Sequence, residues 1–201
     1  MNSKSLYLLL AFFCIVESAL ALDTNASEFM QSGSWASQVN ELGTLRFARA
    51  FTTEDDAVFA VDSVAGNCDQ YKISVLGIMD EVYAEDQNVS AMAKIRVDSN
   101  AVFHLTALIQ MERGDSLLAI EFMGDYSGLY EQLMTGTRVR MELAPPGEEK
   151  IYGGFDLNGS AGALRRADTL CRRLSVPSDD RSFFSNQPPA RAPQKPDASF
   201  F

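Results

Sequence analysis

The residue types best able to do chemistry are few and scattered. His104 is the single histidine. A Ser-His-Asp triad would have to use it, yet no Gly-x-Ser-x-Gly elbow accompanies it. Strand alternation sets it beside Val102, Thr106 and Leu108. The plain reading is a half-exposed strand residue; the chemical one is a hydrolase base. Acidic residues cluster at Glu54-Asp55-Asp56, Asp80-Glu81 and Glu85-Asp86. Paired carboxylates can do acid–base work or hold calcium, but none has oxygen ligands at alternate positions around a glycine. They read as solvated turns. Two of the three cysteines and the one histidine lie too far apart for zinc spacing, so no metal and no cofactor is expected.

Arginine is concentrated where the rest of the chain is acidic. Arg165, Arg166, Arg172 and Arg173 lie within one short segment, against a net charge of −10 for the whole chain. An anionic envelope surface or an acidic protein could dock there; a merely solvated helix face is the alternative. The overall negative charge disfavours nucleic acid, whose phosphates it would repel.

The start of the chain reads as an export signal. Lys4 precedes an apolar run from Leu6 to Val16, and Ala19-Leu20-Ala21 fits the small-x-small cleavage pattern. The run of about 11 residues falls short of the roughly 20 needed to cross a bilayer. Cleavage near Ala21 would place the protein in the periplasm or outside the cell, with no membrane span in its mature form. It would also remove Cys14 and leave Cys68 and Cys171. An even pair in an oxidising compartment reads as a disulfide; two separate buried thiols are the alternative. A closed loop of about 100 residues is worth up to roughly 4.7 kcal/mol in the chain-entropy model.

These residues need elements to position them. Residues 22–43 show no pattern beyond Trp35 and read as an N-terminal extension. From Thr44 onward apolar residues alternate with polar ones, the period of strands with one buried face. Tyr71, Ile73 and Val75 make one such row; Ala91, Ala93, Ile95 and Val97 another; Leu118, Ile120 and Phe122 a third; Val139, Met141 and Leu143 a fourth. Asp98-Ser99-Asn100 and Arg113-Gly114-Asp115 read as hairpin connections. Gly153-Gly154 suggests a bulge or a close backbone approach in the last strand.

Two stretches change to helical spacing. Asp125 to Met134 has Asp125 or Ser127 as a cap and Gly136 as a stop. Gly159 to Leu174 sets Ala163, Leu164, Ala167, Leu170, Cys171 and Leu174 on one stripe, with the four arginines on the other side. Cys171 then faces the sheet, within reach of Cys68. The expected fold is mainly β (α+β): an antiparallel β-sandwich or partly open barrel over residues 44–174, with a C-terminal amphipathic helix packed on the sheet. Residues 175–201 carry Pro177, Pro188, Pro189, Pro193 and Pro196 and read as a disordered tail. Asn25, Asn88 and Asn158 each begin an Asn-x-Ser sequon, which has meaning only in a glycosylating host.

The run Phe155-Asp156-Leu157-Asn158-Gly159-Ser160-Ala161-Gly162-Ala163-Leu164, followed by Cys171, resembles the closing strand and helix of small bacterial envelope domains. It is similar to the ending of invasion-associated locus B proteins and of the VasI/TagO-like proteins associated with type VI secretion. An early tryptophan is common to both, a place that Trp35 could fill. The resemblance implies an exported accessory protein without catalysis, with Cys68 paired to Cys171, and brings no catalytic residue. The denser cysteine pattern usual near the start of such domains is missing here. The leading expectation is therefore a non-enzymatic binding or accessory protein of the bacterial cell envelope, associated with secretion or host interaction. A small-molecule or lipid-binding β-sandwich is the first alternative, and a hydrolase using His104 the second.

Overall fold

The computed structural model describes residues 25–176, apart from 79–81, 83, 112 and 115. The signal-like segment, Asp80-Glu81 and most of the proline-rich tail lie outside the described residues.

Ten strands and two helices follow in order. They are β1 (Ser27–Ser32), β2 (Trp35–Leu42), β3 (Leu45–Glu54), β4 (Ala57–Val64), β5 (Asn67–Ile78), β6 (Gln87–Val97), β7 (Phe103–Met111) and β8 (Leu117–Met123). Helix α1 (Leu129–Thr135), strands β9 (Arg138–Ala144) and β10 (Ile151–Asp156), and helix α2 (Ser160–Leu174) complete the domain. All strands join one antiparallel sheet in the order β1-β2-β3-β4-β5-β8-β7-β6-β9-β10. The fold is mainly β, a partly open barrel with a C-terminal helix on the sheet. Short polar hairpins connect most neighbours. The exceptions are β5 to β6 and β8 to β9, where the chain passes across two intervening strand positions.

The sheet curls until its two ends meet. The Ser34 amide donates to the Asn158 carbonyl at 2.9 Å, and the Trp35 indole N–H to the Asp156 carbonyl at 2.8 Å. Glu54, at the end of β3, accepts from Arg138 and from the Asp156 amide. These bonds tie β1–β3 to β9–β10 without edge-to-edge pairing.

The domain thus begins earlier than the sequence pattern indicates. Residues 27–42, read as an extension, are β1 and β2. Trp35 is fully buried and meets Phe59 edge-on, with ring centroids 6.0 Å apart. The alternation is hidden because β2 is buried on both faces, so polar Ser37, Gln38 and Asn40 are inside as well. Of the two readings of Gly153-Gly154, the bulge is not found and the close approach is. Both pair in regular register with Met141 and Arg140, and the reason for glycine is close approach: a Cβ on Gly154 would lie 3.2 Å from the Val139 carbonyl oxygen. Helix α1 starts later than expected, capped by Gly128 rather than a side chain; Asp125 instead closes a turn onto the Ser127 amide.

Helix α2 lies against β2, β3 and β4 and fills the mouth of the curl. Its stripe of Ala163, Leu164, Ala167, Leu170, Cys171 and Leu174 is buried as its spacing requires. Entry into the helix needs glycine: Gly159 has φ +92°, and a Cβ there would fall 1.7 Å from the Ser32 carbonyl oxygen. Leu129 and Leu133 of α1 are fully buried beside it. The interior that a ligand-binding barrel would leave open is filled by these leucines with Trp35, Phe59, Phe122 and Leu164.

Candidate functional site: a tyrosine pair between two clefts

Cys68, at the start of β5, is joined to Cys171 of α2, with Cα atoms 5.8 Å apart. The next residue on each strand of this link also pairs: Arg172 reaches Asp69 at 3.0 Å and Asp168 at 3.1 Å. One covalent and one ionic tie therefore fix the same point of the helix to the rim of the sheet.

Beside that point Tyr71 of β5 stacks on Tyr130 of α1, with ring centroids 4.2 Å apart and planes within 10°. The Tyr130 hydroxyl donates to the Leu164 carbonyl at 3.2 Å, and the Tyr126 hydroxyl to the Tyr71 carbonyl. Two clefts open on either side of the pair. The larger, about 670 Å³, runs along Asp69, Lys72, Glu121, Asp125 and Glu131. The smaller, about 400 Å³, lies between Met134, Arg165, Asp168 and Arg172. Tyr71 and Tyr130 line both.

Burial pushes the Tyr130 hydroxyl up to about 12, aided by Tyr71, Asp168 and Glu131 nearby. Burial also raises Tyr71, with Asp168 and Asp69 adding to it, and raises Tyr126. None of the three is a phenolate at neutral pH. With the Tyr130 and Tyr126 hydroxyls already donating to backbone carbonyls, what the three offer is flat apolar surface, the equipment of a recognition surface rather than of a general base.

The four arginines do not form one solvated face. Arg166 donates to the Ser37 carbonyl at 3.2 Å, the Ser37 hydroxyl at 3.1 Å and the Glu28 carbonyl at 2.8 Å. Arg173 pairs with the Glu28 carboxylate and holds it below the usual carboxylate range. Arg172 is engaged as described. These three pin α2 to β1, β2 and β5, because a helix in the mouth of a curled sheet brings its polar flanks against the strand edges. Arg165 is exposed and reaches the smaller cleft, and its guanidinium has no ion pair or hydrogen bond among the described residues.

His104 lies on the outer face of β7, exposed and opposite Lys94 of β6. No serine or carboxylate is hydrogen-bonded to it among the described residues, and no triad assembles there. Glu54 is used in the clamp to Arg138, and Asp86 accepts from the Arg113 amide at 2.7 Å. No group of three or more His, Cys, Asp or Glu able to hold a metal occurs among the described residues. No helix among them is long and apolar enough to cross a membrane. The tyrosine pair was not singled out by the sequence. Tyr71 reads there as an inward strand residue and Tyr130 as part of a helical stripe; only the β8–α1 crossover brings them face to face.

No family model matches the chain, and no curated protein matches it. Three solved chains match by structure. One is the crystal structure of invasion associated protein B from Bartonella henselae, 19% identical, with a TM-score of 0.45, covering 72% of this chain and 97% of that one. The likeness to the invasion-associated type is thus loose, and it does not bear on the VasI/TagO type.

Proposed function

We propose that this chain is an exported, non-enzymatic binding or accessory protein of the bacterial cell envelope that captures a partner at the Tyr71–Tyr130 rim. One observation carries the reading. Three of the four arginines, Glu54 and Asp86 are tied into the fold, while the half-buried Tyr71–Tyr130 pair lines two clefts. Arg165 is the cation left to meet an anionic group, and Tyr130 supplies a flat face next to it. An envelope protein presenting a carboxylate beside an apolar side chain fits that chemistry. The signal-like first 21 residues support a periplasmic or secreted location, as does a disulfide built from the two cysteines that cleavage would leave.

The test compares the wild type with Arg165→Glu and Tyr71→Ala, expressed with the native leader and cross-linked in the envelope. The wild type should appear in the periplasmic fraction and form a discrete adduct that both variants lose. Equal adducts from all three proteins would reject the rim. A substrate turned over by the wild type and not by His104→Ala would reject the non-enzymatic reading.

A further inference from the structure

The two clefts beside the tyrosine pair differ in sign. In the larger, Asp69, Glu121, Asp125 and Glu131 outnumber Lys72 and leave a net charge of −3. In the smaller, Arg165 and Arg172 outnumber Asp168 and leave +1. Most of these groups are already engaged. Lys72 pairs with Glu121 at 3.0 Å, Arg172 with Asp69 and Asp168, and the Asp125 carboxylate accepts from the Ser127 amide. Glu131 and Arg165 are exposed, and neither the carboxylate nor the guanidinium has an ion pair or hydrogen bond among the described residues. They flank one hydrogen bond: Glu131 follows Tyr130 on α1, and Arg165 follows Leu164 on α2, whose carbonyl accepts from the Tyr130 hydroxyl. That hydroxyl feels both, with Glu131 raising its pKa and Arg165 lowering it. Each cleft also holds a methionine, Met123 in the larger and Met134 in the smaller, and Met123 is 40% exposed. A thioether beside aromatic rings makes an adaptable apolar surface.

We infer that the partner of this rim is an extended protein segment bearing a cation, an apolar side chain and a carboxylate in that spatial order. Its lysine or arginine lies in the larger cleft, its apolar group on the tyrosine pair and its carboxylate in the smaller cleft. The inference rests on the proposed capture at the Tyr71–Tyr130 rim and adds to it the cationic group and its place. A partner bearing only the carboxylate that Arg165 accepts would set like charge against Glu131 and the rest of the larger cleft, and such a juxtaposition works against association. A cation at the other end of the segment satisfies both clefts at once. A chain fits better than a small zwitterion. Each cleft, about 670 and 400 Å³, is by itself of the size that holds a small ligand, about 300–1,000 Å³. The tyrosine pair stands between them, so a molecule whose two charges are a few bonds apart fills one cleft and leaves the charge of the other unmet. Same-facing side chains of an extended chain are about 6.6 Å apart. Three in a row set cation and carboxylate about 13 Å apart with the apolar group between them.

Photo-cross-linking in the envelope reads that order. Two proteins are expressed with the native leader, one carrying Met123→p-benzoylphenylalanine and the other Met134→p-benzoylphenylalanine. Both should capture the same partner protein. Digestion should map the link from position 123 beside a lysine or arginine of the partner and the link from position 134 beside an aspartate or glutamate, a few residues apart on one stretch. Glu131→Arg should lower capture at both positions several-fold, as Arg165→Glu should. Both side chains are exposed, so these variants should keep the wild-type Tm; should either lose it, Glu131→Gln and Arg165→Gln, which remove charge without reversing it, take their place. Failure of the inference and failure of the rim give different results. Capture lost in Arg165→Glu and Tyr71→Ala but unchanged in Glu131→Arg overturns the cationic group and leaves the rim standing. A link from position 123 to an acidic or uncharged stretch does the same. Capture unchanged in all three variants overturns the rim and the inference together, as does capture of no protein at either position. Links from the two positions to different proteins, or to a lipid or small molecule, overturn the single extended segment.

Discussion

The two halves of the sheet obey different rules. In β6 and β7 apolar and polar residues alternate, and burial alternates with them: Ala91, Ala93, Ile95 and Val97 are inside, Met92, Lys94 and Arg96 outside. In β2, β3 and β4 both faces are buried, and small residues such as Ala36, Ala48, Ala50 and Ala60 let layers approach on either side. The first half is a wall with one wet face; the second is a middle layer with neither face exposed and α2 against the inner one. A polar side chain means something different in each. Lys94 on the wall makes an exposed pair with Glu142, whereas Arg49 and Asp62 in the middle layer form a pair at 2.8 Å with both side chains mostly buried. An exposed pair of the first kind contributes little. Breaking one partner of the second leaves a desolvated charge.

Substitutions at matched positions can break this comparison. Trp35→Ala should have the largest effect, about 3–5 kcal/mol of unfolding free energy, because it empties the centre of the middle layer and orphans the Asp156 carbonyl. Urea denaturation checks it; a loss below about 1 kcal/mol would mean that Trp35 is not the keystone of that half.

Removing the disulfide with Cys68→Ser/Cys171→Ser should cost about 2–5 kcal/mol. The readout is the denaturation midpoint of the oxidised wild type against the variant. Coinciding midpoints would show that the packing of α2 alone holds it.

Phe51→Ala and Met92→Ala sharpen the contrast between outward faces. The first should cost roughly 2–4 kcal/mol, as a buried ring does, and the second less than about 0.5 kcal/mol, as an exposed side chain does. Equal small losses would show that the outward side of β3 is solvent-facing.

A smaller effect is expected from acid. Asp98, at the end of β6, accepts from the Thr137 hydroxyl, the Thr137 amide and the Arg138 amide, and these bonds hold its carboxyl below its ordinary value of 3.8. A carboxyl lowered in the folded state stabilises above its unfolded value and loses that contribution as pH falls through the folded one. Asp98→Asn should therefore flatten the acid limb of the Tm–pH profile below about 4, where the unfolded carboxyl titrates. Parallel acid limbs for variant and wild type would remove Asp98 from the clamp.

Legibility of the sequence follows the same division. Where one face is wet, alternation is written in the residues, so β6, β7, β8 and β9 can be read directly. The amphipathic stripe of α2 is equally plain, because a helix in a sheet's mouth has one dry side. β2 is illegible: with both faces buried, Trp-Ala-Ser-Gln-Val-Asn carries no period. The rim is partly legible. The arginines are visible as a cluster, but their division into three structural ties and Arg165 depends on Glu28 and Asp69, far away in sequence. The Tyr71–Tyr130 stack is invisible for the same reason: each member fits its own local pattern, and the crossover between them decides their contact.

Native-state amide exchange under rising denaturant tests the division most directly. Amides of β2, β3, β4 and α2 should exchange only through global unfolding, while those of β9 and β10 open in a separate event of lower free energy. Exchange of α2 ahead of β9 and β10 would contradict a doubly buried layer pinned by its helix.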